Sequence, residues 1–163
     1  MKTALAALLL LSALPCAAQD QPVGASDAGV GKLLDQLQYK YEVDEDGDYK
    51  LLMEVDAETE RSQLVFVRSA VERYGNHRIR EIWSYGWRAS GDSFPAVVAN
   101  RLLEASNSLI MGGWVKQGQN AVFVVKIPAD AGAEALDDAI GAAVRSADEM
   151  ERELAADPAS DEY

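Results

Sequence analysis

The chain has 163 residues, 48% hydrophobic and 26% charged, enough for one globular domain with its own core. Its formal net charge of −12 argues against phosphate-driven nucleic-acid binding, so no nucleic-acid partner is expected. Cys16 is the only cysteine, which excludes an internal disulfide framework or a thiolate metal site.

Residues 1–18 read as a secretory signal peptide. Lys2 supplies a positive start, residues 4–14 are apolar but too short to span a bilayer, and Cys16-Ala17-Ala18 offers small residues before Gln19. Lipidation at Cys16 is the rival reading. Pro15 directly before it fits poorly, because lipoprotein signals place a small residue there. The expected location is therefore periplasmic or secreted in a bacterium. No later stretch is apolar enough to be a membrane-spanning helix, so no stable membrane insertion is expected after signal removal.

Residues 19–29 are small and polar and predict a flexible lead-in. The folded domain is expected over 30–156, with a frayed acidic tail at 157–163. Val30, Leu33, Leu34 and Leu37 fall at helical spacing, with Asp27 placed to cap the start. Tyr39, Tyr41 and Val43 then alternate with polar residues. The acidic turn 44–48 follows, and alternation resumes from Tyr49 to Val55, the pattern of a hairpin. Residues 63–87 form the longest strand signal, two β-branched and aromatic runs flanking Tyr74-Gly75-Asn76-His77. Strand alternation puts Leu64, Phe66 and Arg68 on one face and Val65, Val67 and Ser69 on the other. In the second run it groups Ile79, Glu81, Trp83, Tyr85 and Trp87 opposite Arg78, Arg80, Ile82, Ser84 and Arg88. The tryptophan face is expected to be the core.

A helix is predicted over 95–106, capped by Asp92 or Ser93, with Phe94, Val97, Val98, Leu102 and Ala105 on its buried side. A second hairpin spans 110–127 around Gln117-Gly118-Gln119-Asn120, and its continuously apolar run 122–125 predicts cover on both faces. A long last helix over 132–155 carries a stripe of Leu136, Ile140, Ala143, Val144, Ala147, Met150 and Leu154. The order α-β-β-β-β-α-β-β-α predicts a single α+β domain, with one antiparallel sheet of five to six strands packed by three helices.

Several residues carry a family resemblance: Tyr39-Lys-Tyr-Glu-Val-Asp-Glu-Asp-Gly-Asp48, Gln63-Leu-Val-Phe-Val67, Pro95-x-x-x-Ala99-x-x-Leu102-Leu103-x-x-x-Asn107, Gly113-Trp-Val115 and Val122-Phe-Val-Val-Lys126. With the element order, they resemble the YbjN domain family over about residues 32–153. That family's fold is like that of type III secretion chaperones, and it is described as bacterial sensory transduction regulators. The resemblance implies a non-enzymatic, chaperone-like protein-binding and regulatory role, and by fold analogy a homodimer. It offers no catalytic residue to carry over. A signal peptide and an aromatic-rich strand over 78–87 depart from the family pattern.

Motifs for chemistry are sparse. Asp44-x-Asp46-Gly47-Asp48 suggests a calcium loop, but the glycine is fourth rather than sixth, and Val55 stands where the twelfth-position Glu would be. His77 is the only histidine and sits in a turn, so no metal site is expected. No G-x-S-x-G sequence marks a nucleophile. The expectation is a protein without enzymatic activity or cofactor, the alternative being a carboxylate-based hydrolase or small-ligand binder. Charge is the sharper feature. Residues 61–88 hold six arginines against Glu72 and Glu81, whereas residues 130–163 hold eleven acids against Arg145 and Arg152. Either the arginines pair across strands or with the last helix, or Arg68, Arg78, Arg80, Arg88 and Trp87, with Trp83 and Tyr85 as further aromatic candidates, bind an unidentified protein partner.

Overall fold

A computed structural model describes residues 24–155 and 161–163. The expected signal peptide at 1–18, the first part of the lead-in, the last residue of the expected domain and residues 157–160 of the tail lie outside the described residues. The elements run α1 (Ala28–Gln36), β1 (Glu42–Val43), β2 (Tyr49–Asp56), β3 (Arg61–Tyr74), β4 (His77–Arg88), α2 (Ala96–Ser108), β5 (Gly113–Gln117), β6 (Asn120–Pro128) and α3 (Ala133–Leu154). This is the expected α+β order, with six strands in one antiparallel sheet ordered β1-β2-β3-β4-β6-β5.

The β3–β4 hairpin is the spine. Both strands exceed the usual strand length, and Gly75 turns the chain with φ +57°. Val65, Val67, Ile82, Phe123, Val125 and Ile127 point to one side and are buried. There they meet the apolar stripe of α3, including Leu136, Ile140, Ala143 and Ala147, together with Leu34 of α1 and Leu102 of α2. All three helices thus roof the same face of the sheet.

The roofed face is not the one expected. It carries Arg80, Ile82 and Ser84, whereas Trp83 and Tyr85 lie half-buried on the side without a helix among the described residues. The physical reason is the small-residue surface of α3. Ala139, Ala143 and Ala147 let the helix approach β4 closely, which suits Ser84 and Gly86 rather than indoles. Gly86 is the tightest point. A Cβ there would meet Trp114 Cη2, lie 2.9 Å from Trp114 Cζ3 and lie 3.1 Å from the Ala147 carbonyl. A bulge between Tyr85 and Trp87 follows, and it puts Trp87 in register with Ala121 on the roofed side. Trp87 is therefore separated from Trp83 and Tyr85, and its ring meets Phe94 edge-on at 5.3 Å.

The ends of the helices follow local chemistry. Asp27 caps α1 as expected, its Oδ1 accepting the Gly29 N–H at 2.8 Å. Neither Asp92 nor Ser93 caps α2. Pro95 holds that position with extended backbone, and Val97 is exposed rather than buried. The lead-in next to α1 is seated rather than free. A Cβ on Gly47 (φ +82°) would lie 2.8 Å from the Gly24 carbonyl, so the acidic turn and residues 24–25 are in contact. Residues 161–163, expected to fray, also lie against the fold, at the end of β3.

Candidate functional site

The arginines divide by location. Arg80 is 4% exposed. Its Nη1 donates to the Arg68 and Ser69 carbonyls at 2.5 and 3.2 Å, and its Nη2 meets Asp27 Oδ2 at 2.5 Å. It ties the α1 cap to the irregular stretch of β3 between Val67 and Val71, where the β3–β4 register shifts. Burial alone would raise the Asp27 carboxyl, but the Gly29 N–H and the Arg80 guanidinium outweigh it and hold the group below its usual range. Arg80 therefore serves the interior and offers nothing to a partner. Arg78 and Arg88 are exposed, and Trp87 is half-buried against the core. The five residues proposed from the sequence do not converge on one surface.

Arg61 is likewise interior. Its Nε meets Asp148 Oδ1 at 2.8 Å and its Nη2 meets Glu151 Oε2 at 3.5 Å, with all three side chains buried. Asp148 and Glu151 are the close carboxylates a hydrolytic reading would need. Burial pushes the Glu151 carboxyl up, while the Glu162 N–H and Arg61 pull it back. Their shared partner is a cation that neutralises them, which is the arrangement of a structural ion cluster. This is the pairing of an arginine with the last helix that the charge pattern offers as one of its two readings.

The acidic turn is also committed internally. Asp44 Oδ1 accepts the Asp46 and Asp48 N–H groups at 3.0 and 2.9 Å. Asp48 is buried, and its Oδ1 accepts the Ser69 N–H at 2.7 Å. Burial pushes the Asp48 carboxyl up, opposed by the Ser69 N–H and Arg68. The carboxylates serve the turn, and among the described residues no group of three or more His, Cys, Asp or Glu is placed to hold a metal ion.

What the fold does assemble is the unroofed face of the sheet. Cross-strand register aligns Lys50 with Phe66, Phe66 with Trp83, Leu52 with Leu64, and Trp83 with Val124. An apolar and aromatic band therefore crosses β2, β3, β4 and β6. Leu52 is 64% exposed, and Leu64, Phe66, Trp83 and Tyr85 are half-buried. The rings are fixed by contact. Phe66 meets Tyr85 edge-on at 5.7 Å, and the Arg68 guanidinium carbon sits 4.0 Å from the Trp83 ring centre. Arg68 is held by an ion pair to Asp48 Oδ2 at 2.6 Å. The Trp83 Nε1–H donates to Glu81 Oε2 at 2.8 Å, and Glu81 Oε1 pairs with Lys126 Nζ at 3.0 Å. The uncovered face of an antiparallel sheet ordinarily carries polar residues, so this band departs from what folding alone needs. Of the arginines proposed from the sequence, only Arg68 belongs to it. Trp83 and Tyr85 are aromatic candidates in the sequence whose alternation assigns them to the core face, and sequence reasoning misses Leu52, Leu64 and Phe66 as contact residues because alternation is equally the mark of a core face.

Neither a scan against protein-family models nor a search of curated proteins finds a match to this chain.

Proposed function

We propose that this protein is a non-enzymatic binding module, periplasmic or secreted, that docks a protein partner on the unroofed face of its sheet. The observation that carries the proposal is the Leu52–Leu64–Phe66–Trp83 band, with Arg68 stacked on Trp83, on the face without a helix among the described residues. Tryptophan, tyrosine and arginine are the residue types that dominate protein interfaces, and rigid, pre-held rings lose little entropy on binding. The resemblance to YbjN-like, chaperone-like proteins and the leader-like residues 1–18 support the same role and compartment, and the family description suggests regulation.

The experiment is affinity capture from a cell-envelope extract with wild type, Trp83→Ala and Leu52→Asp. A partner recovered by wild type should fall at least tenfold with either variant, since truncating an anchor residue at an interface centre costs about 2 kcal/mol or more. Capture of a second copy of the chain would make the partner a homodimer mate. Equal recovery of every partner by all three proteins would refute the surface.

A further inference from the structure

Strand β3 outlasts its neighbour. Its pairing with β4 ends at Val65 and Ser84, because the bulge between Tyr85 and Trp87 carries β4 away. The N–H groups of Ser62 and Leu64 then face a gap. Residues 161–163 fill it. The Leu64 N–H donates to the Tyr163 carbonyl at 3.2 Å, and the Ser62 N–H and Oγ donate to Asp161 Oδ2 at 3.1 and 3.2 Å. Arg61 Nη2 lies 3.9 Å from Asp161 Oδ1, and the Glu162 N–H donates to Glu151 Oε1 at 2.6 Å. The Tyr163 ring stacks on Tyr85 at 5.9 Å.

We propose that this gap is a peptide-binding cleft for extended acidic segments of the form Asp-x-aromatic, presented by a partner protein, and that residues 161–163 occupy it in cis as a displaceable strap. The recognition is strand addition to free backbone groups of β3, with two side-chain subsites. Arg61 and the Ser62 N–H receive the Asp carboxylate, and Tyr85 receives the ring. The cation at the cleft is Arg61, which Asp161 approaches alongside Asp148 and Glu151. The cis occupant also fits incompletely. Tyr163 Oη is buried with no hydrogen-bond partner among the described residues. A segment with a plain phenyl ring would fit better.

This deepens the binding-module reading by naming the partner's chemistry, and the two can fail separately. The face is tested at Trp83 and Leu52, the cleft at Asp161 and Tyr163. The probe is a fluorescent peptide of residues 156–163, titrated by anisotropy into the full chain and into full-length Asp161→Ala/Tyr163→Ala. A strap present at an effective concentration on the order of 1 mM, against a dissociation constant on the order of 0.1 mM, masks the cleft about tenfold. The opened variant should therefore bind the peptide about tenfold more tightly than wild type. A peptide lacking the Asp and Tyr side chains should not bind. Absence of saturable binding to the opened variant, or equal affinity for both proteins, would overturn the proposal. Should the double variant fold poorly, hydrogen exchange on wild type and full-length Tyr163→Ala gives a second readout. The Ser62 and Leu64 amides should be protected in wild type and should exchange at least tenfold faster in Tyr163→Ala. Equal exchange in the two would overturn the strap.

Discussion

Replacing Arg61 with Met keeps the length and apolar stem of the side chain and removes its charge. Two buried carboxylates, Asp148 and Glu151, then lose the cation that lies 2.8 and 3.5 Å away. Asp161, at 3.9 Å, loses a weaker contact. Breaking a buried ion pair from one side costs about 3–5 kcal/mol, because the abandoned charge stays in a poor solvent. Set against a total stability of about 5–15 kcal/mol, that is a large share, equivalent to a fall in Tm of roughly 10 °C. The deficit should also depend on pH. Burial already raises the Glu151 carboxyl, and Arg61 is one of the groups that pull it back. Without Arg61 the folded-state value rises further above the unfolded one. A raised carboxyl binds its proton more readily in the folded state, so the folded variant gains on the unfolded chain as pH falls. The difference between wild type and Arg61→Met should therefore be largest at neutral pH and shrink as pH falls through the raised value of Glu151 in the variant. Urea unfolding followed by far-UV circular dichroism at several pH values measures it. A deficit below about 1 kcal/mol, or one independent of pH, would refute the ion-cluster reasoning.

Other expectations follow from particular contacts. Gly86→Ala would press a methyl into Trp114 and the Ala147 carbonyl, neither of which is a flexible side-chain end, and should cost about 2–3 kcal/mol in urea unfolding. Gly112→Ala combines φ +82° with a Cβ 2.5 Å from the Val124 carbonyl and should destabilise by at least about 2 kcal/mol in the same assay. Asp27→Asn keeps a capping oxygen but loses the charge that pairs with Arg80, and should cost about 1–2 kcal/mol at pH 7. Because the Asp27 carboxyl is lowered in the folded state, its contribution is present above the ordinary value of 3.8 and is lost as pH falls through the lowered one. The wild-type advantage over Asp27→Asn should therefore vanish in acid, as pH-dependent melting would show.

Much of this architecture is legible in the chain. The alternation of Leu64, Phe66 and Arg68 with Val65, Val67 and Ser69 specifies both faces of β3, and Asp27 announces the start of α1. What alternation does not say is which face receives the helices. The aromatic side of β4 looks like the core by size. The choice is made by the alanines of α3, which demand a shallow sheet surface. The crossing of Trp87 to the other side depends on one bulge, for which the lone Gly86 inside a strand pattern was the available signal. Arg61 and its partners on α3 are 87 and 90 positions apart, so only the folded topology pairs them. The strap was hidden for a similar reason. An acidic end looks like a solvated tail unless β3 is known to present unpaired amides beside Arg61.

The most direct test of the docking face is a hydrogen-exchange footprint of this chain with its captured partner against the chain alone. New protection at the amides of residues 52–54, 66–68 and 81–85, with little change along α2 and α3, is the expected result. Protection confined to the helices, leaving the Trp83 strand exchanging as in the free protein, would contradict it.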